Sequence, residues 1–401
     1  MKKFFYFLLF LPLAVFYFSD EATAATAVAQ TKPAAKFEVS GWIPYWRKAA
    51  GVEEAIKHID VFTELNPFSY AVKDDGTLLD LMKIKEPPWT ELFAAAREKK
   101  VRIIPTVSWS NTAAIEKVLK SKTLRAGHIR AIVEMVKENN FDGVDIDYES
   151  KNAATRPYFS AFLRELYAAM GKKFLVCTIE PRTPLSSRFE KIPKGIEYAN
   201  DYNVINNNCD RVRVMVYDQG TIDLRLNKDN IGPYIPVSDP KWVKKVIELA
   251  AKSISKKKLV VGIPTYGYEY EAVKLKDGMY RYKLLWAFNP KYALDVASRL
   301  QVSPVRNSAG EISFMYVPSA LSVPLSVSPD ISFIYSTHIA TTTFSGISSS
   351  TPVGSPFRIL WWSDPIAMIG KMVVAKNLGV RGVAIFKIDG SGDGKVWEYF
   401  K

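Results

Sequence analysis

The 401-residue chain has few of the side chains that most often bind metal ions. It contains two cysteines, Cys177 and Cys209, and three histidines, His58, His128 and His338. These residues are scattered along the sequence, so no zinc site can be read from their spacing. We therefore predict an absence of bound metal and of any cofactor.

Acidic residues are also in short supply, with 41 Asp and Glu against 54 Lys and Arg, which gives a formal net charge of +13. This excess favours anionic partners such as nucleic acid, an acidic membrane surface or a bacterial wall, although it also serves solubility. The chain has no RNA-binding motif, no zinc finger and no long basic run, so nucleic-acid binding is not predicted. Its 48% apolar and 24% charged residues are typical of a globular protein and exclude wholesale disorder.

Residues 1–24 have the pattern of a secretory signal peptide. A positive end, Met1-Lys2-Lys3, precedes an apolar run at 4–18, and Ala22-Thr23-Ala24 supplies the small residues of a cleavage site. The run is shorter than the roughly 20 residues that a membrane span needs, so we expect cleavage after Ala24, with an uncleaved anchor as the alternative. Residues 25–36 are expected to form a flexible lead-in. The predicted location is secreted or associated with the cell envelope, without a stable membrane span after cleavage.

Export permits one disulfide between the two cysteines. Cys177 falls within a strand-like apolar run, however, so a buried free thiol is an equally good interpretation of the sequence.

Short apolar runs alternate with longer amphipathic ones from residue 37 onward. The strand-like runs are 37–46, 61–72, 101–109, 143–149, 174–181, 212–218, 259–267 and 382–389. The helix-like stretches include 90–100, 126–140, 156–173, 239–254 and 364–379. Eight strands that alternate with helices predict the α/β class and a (β/α)8 TIM barrel. A doubly wound sheet is the alternative, but it usually carries a Gly-rich phosphate turn where this chain has proline and aromatics between Trp42 and Trp46.

The interval between the seventh and eighth predicted strands is too long for one crossover, with about 115 residues where about 30 suffice. Residues 270–358 are rich in Tyr, Ser, Thr and Val and contain strand-like pieces at 279–286 and 312–317. We predict a small inserted domain at 270–358, either α+β or mostly β, and a flexible loop in the Ser/Thr-rich stretch 336–355. Residues 37–401 then form one barrel that carries this insertion.

Three carboxylates occupy alternate positions of the fourth predicted strand. Asp145, Asp147 and Glu149 share one face, because residues two apart in a strand point the same way. The apolar residues between them suit the helix layer, so the acids are expected to face the barrel interior. A solvated edge strand is the first alternative. A metal cluster is the second, although in-line carboxylates rarely wrap a cation without loop ligands.

Three stacked carboxylates cannot all ionise easily, so they are expected to share protons. Glu149 lies at the carboxyl end of its strand, on the face where barrel active sites are built. The pattern therefore predicts a protonated Glu149 that serves as a general acid.

The stretch DGVDIDYE at 142–149 matches the DGxDxDxE signature, and the chain resembles glycoside hydrolase family 18, the chitinase-like barrels. The sequence MVYD at 215–218 is similar to that family's M-x-Y-D. PFSY at 67–70 and DGTL at 75–78 resemble bacterial members related to spore-germination hydrolases, and GIPTYG at 262–267 is also usual there. The resemblance covers residues 37–401.

The resemblance implies a retaining, substrate-assisted mechanism, in which the substrate's own 2-acetamido group is the nucleophile. Glu149 would protonate the glycosidic oxygen. Asp147 would orient and stabilise the acetamido N–H, and Asp145 would support Asp147 by sharing a proton. Tyr217 would hold the acetamido carbonyl oxygen.

The chain departs from the family pattern at two places. A tryptophan that commonly ends strand eight is replaced by Phe386, and an S-x-G-G turn after strand three is replaced by residues 106–110. The predicted sugar-binding residues are Met215, Asp218, Phe386, Tyr70, Trp46 and Trp109. Ordinary packing is the alternative for the tryptophans.

The sequence thus predicts a secreted, monomeric hydrolase of β-1,4-linked N-acetylglucosamine polymers. The polymer is chitin or peptidoglycan, and the basic charge slightly favours an anionic wall. The alternative is a lectin-like, non-catalytic carbohydrate-binding protein on the same barrel. Such proteins typically lose the acid, whereas Glu149 is present here.

Overall fold

The structure is a computed structural model, and it describes residues 37–223, 232–318, 343–345, 353–390 and 394–400. The predicted signal peptide, the lead-in and most of the Ser/Thr-rich stretch 336–355 lie outside these residues. Across the described ranges, every helix is too short or too polar to cross a bilayer.

The strands in chain order are β1 (Glu38–Pro44), β2 (Glu64–Val72), β3 (Leu78–Asp80), β4 (Arg102–Ile103), β5 (Thr106–Trp109), β6 (Gly143–Tyr148), β7 (Phe174–Ile179), β8 (Arg211–Val214), β9 (Leu259–Pro264), β10 (Gly267–Lys274), β11 (Met279–Phe288), β12 (Val305–Arg306), β13 (Ile312–Tyr316), β14 (Thr343–Ser345), β15 (Pro356–Trp362) and β16 (Gly382–Phe386).

The α-helices of the described ranges are α1 (Lys48–Lys57), α2 (Trp89–Glu98), α3 (Thr112–Lys120), α4 (Lys122–Glu138), α5 (Arg156–Met170), α6 (Leu185–Arg188), α7 (Tyr202–Asn208), α8 (Pro240–Ala250), α9 (Pro290–Leu300) and α10 (Pro365–Leu378).

A closed parallel barrel forms the centre of the molecule. Its strands follow the order β1, β2, β5, β6, β7, β8, β9 and β16, and β16 pairs with β1 to close the ring. The short β4 continues the line of β5 against β2. Strands such as β6 and β9 are buried along their whole length, as parallel strands covered on both faces must be. The predicted (β/α)8 barrel is confirmed.

Two barrel helices begin where the sequence places a cap and a proline. The Asp239 side chain accepts the N–H of Lys241 at 2.7 Å, and Asp364 accepts that of Ala367 at 3.0 Å. A proline follows each cap, where its missing N–H costs no hydrogen bond. These caps fix where α8 and α10 start, and hence how they return the chain to β9 and β16.

A second, antiparallel sheet lies between β9 and β16. Within the described residues its order is β12, β13, β15, β10, β11 and β14. Gly267 at its start pairs with Trp362 at its end, so the chain leaves and re-enters the barrel at adjacent positions. Helix α9 packs on this sheet through a small apolar cluster that includes Phe288 and Trp362.

A buried ion pair joins this sheet to the barrel helices. The Glu311 carboxylate, next to β13, accepts the Lys371 ammonium of α10 at 3.1 Å. It also accepts the indole N–H of Trp361 at 2.8 Å and the backbone N–H groups of Val237 and Ser238. The sheet is thereby tied to α10 and to the segment before α8.

Cys177 of β7 and Cys209 after α7 form a disulfide. The expectation of a free thiol at Cys177 as an equal alternative is therefore wrong. The pairing joins a barrel strand to the segment that leads into the next one.

Candidate active site

A cavity opens among the carboxyl ends of the barrel strands. Its lining residues are Trp42, Phe68, Asp147, Glu149, Thr178, Met215, Tyr217 and Phe386. Across the described residues, no group of three or more His, Cys, Asp and Glu side chains is placed to hold a metal ion. The cavity presents carboxyl, phenol and aromatic groups.

Strand β6 divides its side chains between the two faces of the barrel wall. Asp145 and Asp147 are 0% and 5% exposed, and Asp147 lines the cavity. Tyr148 points into the helix layer, where its ring stacks on Phe162 and its hydroxyl lies 2.5 Å from His128 Nε2. Glu149 follows the last residue of the strand and stands at the cavity mouth.

Asp147 presents an oxygen that no described group satisfies. Its buried Oδ1 has no hydrogen-bond partner. Burial raises the pKa of Asp147 well above its usual range, and the neighbouring carboxylates of Glu149, Asp145 and Glu180 raise it further, against the opposing charge of Lys151. A buried acceptor left open in a cavity wall is suited to a ligand that brings its own N–H or O–H donor.

Glu149 is poised between its two protonation states near neutrality. Burial raises the pKa of Glu149 to about 7, and the charges of Glu180 and Asp218 act in the same direction. The ammonium group of Lys151 opposes them. A carboxyl group with a pKa near the working pH can both give and take a proton.

Lys151 and Glu180 form the charged edge of the mouth. The Lys151 Nζ lies 3.6 Å from Glu180 Oε1 and donates to the backbone carbonyl of Tyr148, immediately before the acid. The other Glu180 oxygen accepts the Asn200 side-chain amide at 2.6 Å. The sequence indicates Glu180, which follows the fifth predicted strand. It does not reveal that the Lys151 side chain turns back to the Tyr148 carbonyl.

Asp145 lies beneath the cavity and is surrounded by donors. Its Oδ2 accepts the Trp42 indole N–H at 3.0 Å, the Thr106 hydroxyl at 2.9 Å and the Arg213 guanidinium at 2.7 Å. Its Oδ1 accepts the Thr178 hydroxyl at 2.8 Å. Four polar groups thus surround the Asp145 carboxylate, and its expected proton sharing with Asp147 stays a prediction.

Tyr217 and Phe386 build the apolar side of the cavity. Their rings stack with centroids 5.7 Å apart, and the edge of Phe386 meets Trp42 at 5.8 Å. Burial raises the pKa of the Tyr217 hydroxyl well above its usual range, and the charges of Asp147 and Asp218 add to the effect. Tyr217 therefore remains a neutral hydrogen-bond donor.

Asp218 supports this side from behind the lining. Its backbone adopts the left-handed conformation with φ 63°, and its Oδ1 accepts the hydroxyl groups of Tyr266 and Tyr268, each at 2.6 Å. Burial raises the pKa of Asp218, while these two hydrogen bonds oppose the rise. Asp218 thus adjoins the cavity without lining it, and Met215 lines it directly.

Trp109 does not reach the cavity, so its predicted role in sugar binding is corrected. Strand pairing aligns Ser108 with Asp147 and Trp109 with Tyr148, which places Trp109 on the helix side. There it is 4% exposed and packs against His128 and Tyr148, each at 5.5 Å between ring centroids. The two-residue alternation that placed the carboxylates applies to this strand as well and would have found the error.

Tyr70 and Trp46 also lie outside the lining. Tyr70 is buried, and the pairing of β2 with β5 shifts register between Phe68 and Tyr70, so that Phe68 takes the lining position. Trp46 is half-buried beside the mouth, with its ring 6.1 Å from that of Phe68. The prediction for Tyr70 is corrected, and Trp46 lies next to the lining through its contact with Phe68.

Sequence reasoning missed several residues that the fold brings to the site. Trp42, Phe68 and Thr178 line the cavity from β1, β2 and β7. Arg213 of β8, two residues before Met215, is buried and donates to Asp145 beneath the cavity. A cation at an inward-facing strand position is a signal that the alternation rule could have provided.

Comparison with known proteins places this architecture in a family. Residues 42–390 match the family described as Glycosyl hydrolases family 18. The uncharacterized glycosylase YvbX of Bacillus subtilis (strain 168) is 26% identical over 196 residues, which are 47% of this chain and 53% of that protein. The cortical fragment-lytic enzyme of the same organism is 25% identical over 214 residues, 52% of this chain and 46% of that protein. The chain spans about half the length of these curated relatives.

Solved structures share the fold. The spore cortex-lytic enzyme SleL of Bacillus cereus superposes with a TM-score of 0.65 at 19% identity, over 91% of this chain and 74% of that one. A chitinase from Chromobacterium violaceum gives a TM-score of 0.64 at 14% identity, over 91% of this chain and 98% of that one. A class V chitinase from Nicotiana tobaccum, solved in complex with NAG4, gives 0.61 at 14% identity, over 91% of this chain and 98% of that one.

The family match extends over most of the chain and includes both the DGVDIDYE strand and the strand that ends in Tyr217. With the closed barrel and the carboxylates at its mouth, it leads to one conclusion: this chain belongs to the glycosyl hydrolases of family 18.

Proposed function

We propose that the protein is a glycosidase that cleaves β-1,4-linked N-acetylglucosamine polymers with retention of configuration. One observation carries the proposal: an open acceptor on Asp147, an acid with a pKa of about 7 on Glu149 and a neutral phenol on Tyr217 share one cavity. An acetamido group has one N–H and one carbonyl oxygen, which Asp147 and Tyr217 can bind together.

The proposed reaction uses the substrate as its own nucleophile. Glu149 gives its proton to the glycosidic oxygen as the bond to the anomeric carbon breaks. The acetamido carbonyl oxygen attacks that carbon and forms an oxazolinium ion, while Asp147 accepts the acetamido N–H and Tyr217 donates to the carbonyl oxygen. Glu149, now a carboxylate, removes a proton from water, which attacks the same carbon and restores the acetamido group. The Glu149 proton is thereby regained.

The polymer is either chitin or the glycan strand of peptidoglycan, and we propose the latter as the better fit. The formal net charge of +13 favours an anionic wall over neutral chitin. The names of two similar proteins, a cortical fragment-lytic enzyme and a spore cortex-lytic enzyme, point the same way.

We further propose that the chain is exported and acts as a monomer at the cell envelope. The signal-peptide pattern at residues 1–24 supports export. The disulfide between Cys177 and Cys209 supports it independently, because such bonds persist mainly in oxidising compartments.

The direct test digests purified chitin and purified bacterial wall side by side, with product identification by mass spectrometry. We expect products with N-acetylglucosamine at the new reducing end, and a loss of at least about 100-fold in kcat for Glu149→Gln. Glu197, an exposed carboxylate between α6 and α7, provides the matched control, and Glu197→Gln should keep full activity.

Two outcomes would contradict the proposal. Undiminished turnover in Glu149→Gln would remove the acid from the mechanism. Saturable sugar binding without turnover by the unaltered protein would favour the carbohydrate-binding alternative.

A further inference from the structure

A buried arginine lies directly beneath the predicted catalytic carboxylates. Arg213 of β8 is 1% exposed, and its Nη1 lies 2.7 Å from Asp145 Oδ2. Its Nη2 donates to Asn66 Oδ1 at 2.9 Å and to the Glu64 carboxylate. The guanidinium carbon also lies 5.0 Å from the centre of the Trp42 ring. These partners are all buried as well, so the Arg213 cation lies inside the barrel, away from solvent.

The position of Arg213 fixes the chemical state of Asp145. A guanidinium remains protonated in proteins and can only donate, and an indole N–H likewise only donates. Asp145 therefore faces a permanent cation together with the Trp42, Thr106 and Thr178 donors. The Arg213 charge and the Trp42 N–H both reach Oδ2 and can only donate, so they favour the ionised Asp145 as their acceptor.

We propose that Arg213 is a positioning residue that holds Asp145 as a carboxylate and thereby confines the transferable proton to Asp147 and Glu149. This inference rests on the proposed glycosidase function, because it concerns the proton that Glu149 delivers. It differs from the sequence expectation, in which Asp145 takes part in proton sharing.

The charged groups around Asp145 support this assignment from every packed strand. Its own strand contributes Asp147, and the chain continues to Glu149. Strand β8 contributes Arg213, and β2 contributes Glu64 behind it. Glu64 is also paired with Arg102, because the Arg102 Nε lies 3.3 Å from Glu64 Oε2. Arg102 thus offsets part of the Glu64 charge, and the charge of Arg213 still acts on Asp145. The neighbours from β1, β5 and β7 are neutral donors.

The first test is the pH dependence of kcat/KM on an N-acetylglucosamine oligomer. In Arg213→Met, Asp145 loses its cation and takes up a proton at higher pH, so the acid limb should move up by about one to three pH units. Arg213→Lys retains the cation and should keep the acid limb in place. Arg211→Met is the matched control, because Arg211 precedes Arg213 by two residues and pairs with Glu38 rather than with Asp145. Its acid limb should match that of the unaltered protein.

The second test needs no activity and follows the melting temperature against pH. In Arg213→Met the buried Asp145 has lost its cation, so folding favours its protonated form more than the unfolded chain does. The variant then gains stability at low pH and loses it as the pH rises, so the melting temperature falls with rising pH. The double variant Arg213→Met/Asp145→Asn keeps Asp147 and Glu149 but lacks the Asp145 carboxyl group, so it should lose the part of the slope that Asp145 adds.

The outcomes separate the two proposals. An unmoved acid limb in Arg213→Met, or equal melting slopes in the single and double variants, overturns the role of Arg213. If the unaltered protein has no turnover, the glycosidase proposal fails, and the melting slopes still decide the inference. If only the double variant folds, the unpaired carboxylate is the cause and the inference is supported. If neither variant folds, the pH profile of Arg213→Lys decides the question. An acid limb displaced from that of the unaltered protein overturns the proposal.

Discussion

Proton positions at the cavity mouth are controlled by a few side chains, each with a different neighbour. Burial is the largest cause that raises the pKa of both Asp147 and Glu149. The charge of Glu180 raises the pKa of Glu149, and that of Lys151 lowers it. The two groups lie 3.6 Å apart, so their effects on Glu149 partly cancel. The acid therefore depends on a balance that a single substitution can disturb.

Activity should fall as the pH rises above about 7, because Glu149 must be protonated to act as the acid and its pKa is about 7. Glu180→Gln removes a negative neighbour, so the pKa of Glu149 should fall and the alkaline limb should move to lower pH. A pH profile of kcat/KM measures both effects. Glu197→Gln should leave the profile unchanged, and a shift to higher pH in Glu180→Gln would refute the assignment.

Asp147→Asn should reduce kcat by at least about 100-fold with little change in KM, since the lost interaction stabilises the transition state more than the bound substrate. Asp147 Oδ1 is an open acceptor, and the amide oxygen of asparagine would be a neutral and weaker acceptor in its place. Steady-state kinetics on a chromogenic oligomer measures both constants. Asp60→Asn, at an exposed position, serves as the control. Near-normal turnover in Asp147→Asn would argue against substrate assistance.

The sequence predicts the inward acids well but not their partners. Alternation alone places Asp147 and Tyr148 on opposite faces, as the structure shows. The contact between Arg213 and Asp145 joins strands β8 and β6 across the barrel interior, and such contacts depend on strand stagger. A single sequence carries no direct record of that stagger.

At the scale of elements, β8 ends earlier than its apolar pattern predicts. The predicted strand at 212–218 stops at Val214, where the Val216 N–H turns back to the Val214 carbonyl at 2.8 Å. Met215 still donates its N–H to Ile179 of β7 at 3.0 Å, so the M-x-Y-D segment passes from ladder pairing at Met215 into a turn at Val216. Met215 and Tyr217 both line the cavity. Hydrophobic periodicity cannot distinguish these two conformations.

Gly262 of β9 permits the close approach of this turn. A Cβ there would lie 2.8 Å from the Val214 carbonyl oxygen and 3.0 Å from Tyr217 Cε1. Gly262→Ala should therefore displace Tyr217 and lower kcat/KM by about 10- to 100-fold, because small misplacements at an active site are costly.

Steady-state kinetics and a melting curve of Gly262→Ala test this point together. Gly127→Ala is the control: its nearest neighbour is the Arg130 guanidinium at 4.0 Å, and alanine should stabilise α4 by about 0.5–1 kcal/mol. Unchanged kinetics in Gly262→Ala would show that Tyr217 does not depend on this glycine.

Across the whole molecule, stability depends on the buried pair of Glu311 and Lys371. Lys371→Met leaves a buried carboxylate without its cation and should cost about 3–5 kcal/mol of unfolding free energy. The double variant Lys371→Met/Glu311→Gln should recover much of that loss. Urea denaturation measures the difference, with the exposed Lys376→Met of the same helix as control. A loss of under 1 kcal/mol in the single variant would show that the pair is dispensable.

The barrel itself could be predicted from eight apolar runs, but the connection of the second sheet to it could not. The predicted insertion spans 270–358, whereas the strands of the sheet begin at Gly267 and end at Trp362. Those outer residues are as apolar as barrel strands, and only their antiparallel pairing assigns them to the second sheet.

The pairing of Gly267 with Trp362 has an evolutionary consequence. Backbones of paired strands lie about 5 Å apart, so the whole intervening segment starts and finishes at nearly one point. A short splice can close that gap without altering the order of the barrel strands. An exchange of this segment between related barrels would therefore keep the strand order but would remove Tyr268, whose hydroxyl donates to Asp218 behind the cavity.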